Sequence, residues 1–261
     1  MERPLVMGVV NVTPDSFSDG GRYLDHAAAI AHGEALVAAG VDVVDVGGES
    51  TRPGADPVPV ADELARVLPV VEALSPRVRV SIDTRKAEVA AAAVAAGATL
   101  VNDVSATLHQ VAADTGAGWV AMHMQGDPRT MQRDPRYDDV VDEVRAFLVE
   151  RAEGAVAAGV EEVWIDPGIG FGKTVEHNLQ LLARLDELVA TGFPVLLGTS
   201  RKRFLGVLLA EADGVAGPVP TDDRVEGSLA TAAWGYAAGA KMVRAHDGAA
   251  TVALAQALAT L

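Results

Sequence analysis

Polar side chains suited to binding a small molecule stand at the ends of apolar runs along this 261-residue chain. Asp83, Asn102 and Asp166 carry carboxylate or amide groups on short arms, which hydrogen-bond from nearly fixed positions. A second set is cationic or can become so, and consists of Arg52, Lys202, Arg244 and His246. Guanidinium, ammonium and imidazolium groups suit an anion. The residue types alone therefore predict a ligand with a hydrogen-bonding part and an anionic part.

A repeated phrase in the sequence predicts the elements that position these side chains. An alanine-rich helix, a glycine and a β-branched run recur, as in "ALVAAGVDVVDVGGES" and "AVAAGVEEVWIDPG". The glycine fits the left-handed position after a helix, and it occurs at 40, 97, 116, 159, 192 and 239. The following runs lack alternation, which indicates strands buried on both faces of a parallel sheet.

Counting Leu5 to Val10 and residues 77–84, the chain has eight predicted strands, each followed by a helix. This pattern predicts an α/β fold, a single (β/α)8 TIM barrel that occupies residues 1–261 as one domain. A doubly wound sheet of the same elements is the alternative, because periodicity does not show closure. The chain contains no linker or low-complexity segment that would divide it.

In such a barrel the active site forms at the C-terminal ends of the strands. The polar residues at these ends are Asn11, Glu49, Asp83, Asn102, Asp103, His123, Asp166, Ser200, Arg201, Lys202, Arg244 and His246. Each alone has a structural explanation as a helix cap or a satisfied histidine. Capping rarely demands polar residues at nearly every strand end, so we expect a shared site.

Composition excludes several other classes of protein. The chain has no cysteine, which excludes disulfides and thiolate metal sites. Its formal charge of -15 argues against a nucleic-acid partner, which requires a basic face. No apolar stretch approaches the roughly 20 residues of a membrane span. We therefore expect a globular cytoplasmic protein without a nucleic-acid or membrane partner.

The glycine-rich segment "DPGIGFGKT" (residues 166–174) is not a phosphate-binding loop, because Pro167 replaces the first glycine of that motif. We expect Gly168, Gly170 and Gly172 to let the backbone approach a flat ligand, with Phe171 offering a ring face. The histidines lack the spacing of a zinc site, so a permanent zinc ion is not expected.

Eight segments together resemble the dihydropteroate synthase family. They occur in the family's order: "NVTPDSFSDGG", "DVGGESTRPGA", "SIDT", "NDVS", "MHMQGDPRTMQ", "DPGIGFGK", "SRK" and "VRAHD". The resemblance implies a condensation of 6-hydroxymethyl-7,8-dihydropterin pyrophosphate with 4-aminobenzoate, which yields 7,8-dihydropteroate and pyrophosphate. It also implies Mg²⁺ as cofactor, a homodimer and a target for sulfonamides.

The resemblance also implies individual roles. The pterin would contact Asp83, Asn102, Met122, Asp166 and Lys202. The pyrophosphate would contact Asn11, Arg244 and His246, with Asn11 also beside Mg²⁺. The pocket for 4-aminobenzoate would involve two loops that close over the mouth, through Phe17, Asp19, Thr51, Arg52 and Pro53, and the barrel residues Phe171, Ser200 and Lys202. Asp19, Arg52, Lys202, Arg244 and His246 would act in catalysis.

The chain departs from the family after "NDVS", where the segment "ATLHQVAADTG" is a few residues short. This difference predicts an altered loop beside Asn102. Two alternatives stand beside the synthase: a non-catalytic pterin-binding paralogue, and a methyltetrahydrofolate-dependent methyltransferase. The segments "STRPG" and "SRK" and the pair Arg244 and His246 favour the synthase, because the methyltransferases need no pyrophosphate site.

Overall fold

A computed structural model of the chain describes residues 3–13, 26–50 and 55–260. Its eight strands are β1 Leu5–Asn11, β2 Val43–Gly47, β3 Arg79–Asp83, β4 Leu100–Asp103, β5 Gly118–Met122, β6 Val163–Asp166, β7 Leu196–Leu197 and β8 Met242–Ala245. Their order in the sheet is β6-β5-β4-β3-β2-β1-β8-β7, and every pair is parallel. A further parallel bridge joins Ile165 to Val195, so the two ends of the sheet meet. The predicted (β/α)8 barrel is confirmed, and the open doubly wound sheet is wrong.

The helices follow the strands around the barrel. They are α1 His26–Ala39, α2 Val60–Leu74, α3 Ala87–Ala95, α4 His109–Thr115, α5 Val140–Ala157, α6 Val175–Ala183, α7 Leu185–Val189, α8 Arg203–Asp213, α9 Val225–Ala237 and α10 Gly248–Ala259. The six glycines predicted to follow helices have φ between +72° and +114°, which confirms their left-handed conformation. None of the helices in the described ranges is long and apolar enough to cross a membrane.

Two apolar clusters account for burial on both faces of the strands. The larger cluster joins the outward strand faces to the helices and includes Val44, Val101 and Ile165. The smaller cluster fills the barrel interior with Met7, Val43, Leu100, Val120, Trp164, Leu196 and Met242. We call this smaller cluster the barrel plug.

The barrel plug explains why the polar residues meet. Side chains two positions apart on a strand share a face. Two positions beyond members of the barrel plug, the strands carry Asp45, Asn102, Met122, Asp166 and Arg244. These side chains therefore form the next interior layer, toward the carboxyl ends of the strands.

The two tryptophans of neighbouring strands occupy opposite faces of the sheet. Trp164 belongs to the barrel plug, where its Nε1 donates to Glu162 at 2.7 Å. Trp119 is fully buried in the outer cluster, where its Nε1 donates to Asp103 at 3.2 Å. The bulk of the two tryptophans is thus divided between the interior and the shell.

Candidate active site

The floor of the mouth is organised around Asp45, a fully buried carboxylate on β2. Its Oδ2 accepts from Nε of Arg244 at 2.6 Å and from Nδ2 of Asn102 at 3.0 Å. A terminal nitrogen of Arg244 donates to Oδ2 of Asp83 at 2.8 Å. The guanidinium therefore bridges two carboxylates from adjacent strands. Sequence reasoning missed Asp45, although an acidic residue within the apolar run "VVDVG" was a signal.

The two carboxylates predicted to bind a ligand ring are held in a poorly hydrated environment. Burial raises the pKa of Asp83, and the charges of Asp45 and Glu63 add to the rise while Arg244 and Lys202 oppose it. Burial also raises the pKa of Asp166, although its Oδ1 accepts from the backbone N–H of Gly168 at 2.7 Å. Burial thus disfavours the charged form of both carboxyl groups relative to an exposed carboxyl.

Lys202 reaches the same mouth from the start of α8. Its Nζ lies 3.9 Å from the centre of the Phe171 ring, a cation–π contact. Burial lowers the pKa of Lys202 to about 8, and the charge of Arg244 adds to this effect. The lysine is the residue before the helix rather than within it, as its extended backbone shows.

Ser200 and His246 form a pair at the rim. Oγ of Ser200 accepts from the backbone N–H of His246 at 3.0 Å and lies 3.1 Å from Nδ1 of its ring. The serine proton is then free to donate to Nδ1, which places the imidazole proton on Nε2. Burial lowers the pKa of His246 to about 3, with Arg244 and Arg201 adding to the effect. His246 is therefore a neutral N–H donor, whereas the sequence suggested a possible cation.

Two glycines of the loop after β6 have a packing role. Gly168 has φ +64°, and a Cβ there would lie 1.9 Å from the carbonyl oxygen of His123. Gly172 has φ +60°, and its Cβ would lie 2.3 Å from the carbonyl oxygen of Gln125. These two glycines let the β6 loop pack on the backbone of the β5 loop, and the expected approach of this loop to a flat ligand stays a prediction. A Cβ on Gly170, at φ +83°, would lie 3.3 Å from Cδ of Lys202.

The short loop after β4 leaves Asn102 in the mouth. Asp103 accepts from the backbone N–H groups of Ser105, Thr107 and Leu108 at 2.9, 2.6 and 2.7 Å. Its carboxylate thereby fixes the shortened loop, and Asn102 pairs in register with Asp83. Asp103 therefore has a structural role in the loop, although it does not cap α4, whose N-cap residue is Leu108.

Of the other predicted site residues, some lie in the described part of the chain and some lie outside it. Met122 ends β5 and is buried beside Asp166, its register partner. Asn11 ends β1 and is paired with Gly47. The loop residues Phe17, Asp19, Thr51, Arg52 and Pro53 lie outside the described residues, so their roles stay predictions.

Within the described ranges, no group of three or more histidine, aspartate or glutamate side chains is placed to hold a metal ion. Asn11 nevertheless offers an amide oxygen at the end of β1. Mg²⁺ accepts oxygen ligands and commonly takes several from water and substrate phosphates, with few from the protein. The donor set is thus compatible with Mg²⁺ carried largely by a phosphorylated substrate.

Comparison with known proteins identifies the family. A family model described as "Pterin binding enzyme" matches residues 7–246. The dihydropteroate synthase of Mycobacterium leprae is 51% identical over 257 residues, which cover 95% of this chain and 89% of that protein.

Solved structures agree with the sequence comparison. Xanthomonas albilineans dihydropteroate synthase with 4-aminobenzoic acid superimposes with a TM-score of 0.90 at 48% identity, covering 99% of this chain and 93% of that one. The same enzyme with 7,8-dihydropteroate gives 0.86 at 44% identity, with coverage of 99% and 94%. A Yersinia pestis dihydropteroate synthase with a sulfonamide drug gives 0.89 at 43%, with coverage of 99% and 95%. The chain therefore belongs to the family of pterin-binding enzymes and, within it, to the dihydropteroate synthases, which are transferases.

Proposed function

We propose that this chain condenses 6-hydroxymethyl-7,8-dihydropterin pyrophosphate with 4-aminobenzoate to give 7,8-dihydropteroate and pyrophosphate, a step of folate biosynthesis. The observation that carries the proposal is the floor described above, where Arg244 bridges Asp45 and Asp83 beside Asn102. A hydrogen-bonding surface and a cationic group share one mouth. The relatives in complex with 4-aminobenzoic acid and with 7,8-dihydropteroate support the same pair of ligands.

The deep part of the mouth complements a pterin. The ring system presents an amino group and N–H groups as donors, beside nitrogen and carbonyl acceptors. Asp83 and Asp166 accept the donors, and the ammonium of Lys202 donates to the acceptor side. Asn102 already donates its Nδ2 to Asp45, so its Oδ1 is the atom left to face a donor of the ring. Met122 supplies an apolar contact for the ring.

The outer part complements the leaving group. Arg244 and the Nε2–H of His246 donate to the pyrophosphate oxygens, and Asn11 is the residue that would hold Mg²⁺. When bound, Mg²⁺ supplies positive charge that stabilises the oxygen anion of the leaving group. Fixed donors directed at developing charge commonly contribute the largest part of catalysis.

The reaction breaks the bond between the methylene carbon and the bridging oxygen, and the electron pair leaves with pyrophosphate. The pterin nitrogens share the positive charge left on the methylene carbon, which favours a largely dissociative path. The amine of 4-aminobenzoate then forms the carbon–nitrogen bond and loses a proton. An uncharged arylamine needs no strong base, in keeping with a site built from hydrogen-bond donors and carboxylates. Asp19 and Arg52 on the two loops would exclude water and steady the charges.

The test measures pyrophosphate release from the dihydropterin pyrophosphate with Mg²⁺, in the presence and absence of 4-aminobenzoate. Release that depends on the amine and yields dihydropteroate supports the proposal. The variant Lys202→Met should lower kcat/KM by about 100-fold, since it removes a donor in the site. Arg203→Met is the matched control, because Arg203 is the next residue and is exposed. Pterin binding without turnover would indicate a non-catalytic binding protein, and the absence of both would contradict the proposal.

The single domain, the homodimer and the cytoplasmic location remain predictions. Light scattering at micromolar concentration tests the homodimer, which a monomer would contradict.

A further inference from the structure

Lys173 is a buried cation that the proposed reaction does not use. Its side chain follows the β6 loop into the gap between the β5 and β6 loops, and the residue is 3% exposed. Its Nζ lies 2.9 Å from Nδ1 of His123, 3.0 Å from the carbonyl oxygen of Gly168 and 3.1 Å from that of Phe171. An ammonium has three protons to donate, so these contacts use all of them.

His123 is a fixed acceptor for this ammonium. Burial lowers the pKa of His123 to about 3, and the charge of Lys173 adds to the effect, so the ring is neutral. Nδ1 then accepts from Lys173, and the ring proton lies on Nε2. The imidazole packs edge-on against Phe147, with ring centres 5.1 Å apart. The acceptor is therefore held by the outer core.

The carbonyl groups held by Lys173 belong to Gly168 and Phe171, which contact Asp166 and Lys202 of the predicted pterin site. The backbone N–H of Gly168 donates to Asp166 at 2.7 Å. The ring of Phe171 lies 3.9 Å from Nζ of Lys202. The ammonium thus fixes Phe171 through its own carbonyl group, and Asp166 indirectly through Gly168, whose carbonyl binds Lys173 and whose N–H binds Asp166.

We propose that Lys173 is a positioning residue for the pterin end of the site: its ammonium ties the β6 loop to the β5 loop and thereby sets Asp166 and Phe171. It does not contact the substrate. The inference rests on the proposed function for its effect on binding, and on the loop contacts alone for its effect on geometry.

Burial lowers the pKa of Lys173 to about 7; Asp166 opposes this shift and Lys202 adds to it. The experiments should therefore run at about pH 6, where the ammonium predominates. Lys173→Met keeps the length of the side chain and removes the donors. Its pterin dissociation constant, from calorimetry, should rise at least about 10-fold because loop bonds to a charged group are lost. The KM for 4-aminobenzoate should rise as well, because the carbonyl held by Lys173 belongs to Phe171, a residue of the pocket predicted for that substrate.

Amide hydrogen exchange measures the effect of Lys173 on the β6 loop in the absence of any ligand. In Lys173→Met the amides of residues 168–172 should exchange faster by about 10-fold, while those of β1 to β4 keep wild-type rates. Tyr137→Phe is the matched control, because it removes a hydrogen bond at 2.8 Å to Gly172 in the same loop. Its pterin affinity should stay within about threefold of wild type.

The absence of cysteine allows a rescue with the same ammonium. In Lys173→Cys the thiol is alkylated with 2-bromoethylamine in denaturant; sulfur displaces bromide, and a proton is released. The product carries an aminoethyl group nearly as long as lysine. After refolding, pterin affinity should return to within about threefold of wild type, and the unalkylated thiol variant should remain weak.

Unchanged pterin affinity in Lys173→Met overturns the proposal, as does alkylation that restores thermal stability but not affinity. If Lys173→Met does not fold, the alkylated and unalkylated thiol proteins give the same comparison. Failure of wild type to bind the pterin contradicts the proposed function, whereas the exchange experiment still decides whether Lys173 sets the loop.

Discussion

The Nε atom of Arg244 donates to Oδ2 of Asp45 at 2.6 Å, joining the last strand of the barrel to the second. Asp45 is fully buried, so its negative charge depends on this partner and on Asn102. The guanidinium is in turn held by Asp45 through its Nε, and one of its terminal nitrogens donates to Asp83. A group proposed to bind pyrophosphate is thus aligned before any ligand arrives.

We therefore expect Asp45→Asn to lower both stability and activity. Arg244 loses one of its two carboxylate partners and keeps Asp83, and breaking this buried ion pair should lower the free energy of unfolding by about 3 kcal/mol. Denaturant unfolding measures this change. Asp142→Asn is the control, because it breaks an ion pair with Arg145 in which both side chains are at least 40% exposed, and an exposed pair should contribute under about 1 kcal/mol. Equal losses in the two variants would contradict the role of Asp45.

The pH dependence of kcat/KM should report the protonation of Lys202. Below its pKa of about 8 the side chain is an ammonium that can donate to the pterin, and above that pH it loses both charge and donor strength. The value of kcat/KM for the dihydropterin pyrophosphate should therefore fall about tenfold per pH unit above pH 8. The charges of Asp83, Asp166 and Arg244 act on this lysine and set the pH at which the decline of kcat/KM begins.

Lys202→Arg provides the check on that assignment, because a guanidinium stays charged far above pH 8. Whatever its absolute rate, the arginine variant should lose the decline above pH 8 and keep only the smaller change near pH 7 that is expected from Lys173. A decline that persists at the same pH would mean that another group titrates.

Ser200→Ala should weaken anion binding without unfolding the protein. The change removes the two contacts that orient His246 and leaves its tautomer unspecified. The inhibition constant of pyrophosphate should rise by about tenfold, the equivalent of one lost hydrogen bond of this kind. Ser75→Ala is a suitable control, since that hydroxyl makes a long 3.4 Å contact with Ala96 after α2, away from the mouth. An unchanged inhibition constant in Ser200→Ala would count against the pair.

Two glycine variants separate backbone strain from loop packing. Gly116 and Gly168 have similar φ values, +72° and +64°, but a Cβ at Gly116 has nothing within 4 Å. Gly116→Ala should cost only the left-handed conformation, about 1 to 2 kcal/mol of unfolding free energy, and keep pterin affinity. Gly168→Ala adds a collision with the carbonyl of His123 and should displace the β6 loop. Calorimetry should then show pterin affinity lost in Gly168→Ala alone; equal affinities would contradict the packing role.

The barrel was predictable because its signals are local and repeated. Six helices are followed by a left-handed glycine and then by a doubly buried strand, a pattern that indicates parallel units, and eight strands in all favour closure. The interior layer was only partly predictable. Asp83, Asn102 and Asp166 end their strands and so drew attention, whereas Asp45 lies within one and becomes meaningful only when β8 places Arg244 beside it.

Other properties of the site depend on the fold and escape sequence reasoning. His246 is neutral because the mouth is poorly hydrated and already holds cations, and neither condition is written in its neighbours along the chain. Gly168 and Gly172 are spaced as if for a ligand, but the carbonyls they approach belong to the loop of another strand. Lys173 looked like part of a failed phosphate motif until His123 was placed beside it.

The barrel plug has a consequence for the order in which ligands enter the mouth. Because Trp164 and its neighbours fill the barrel below Asp45, ligands reach the floor only from the carboxyl ends of the strands. Under the proposed function, the dihydropterin pyrophosphate therefore has to enter the mouth before 4-aminobenzoate.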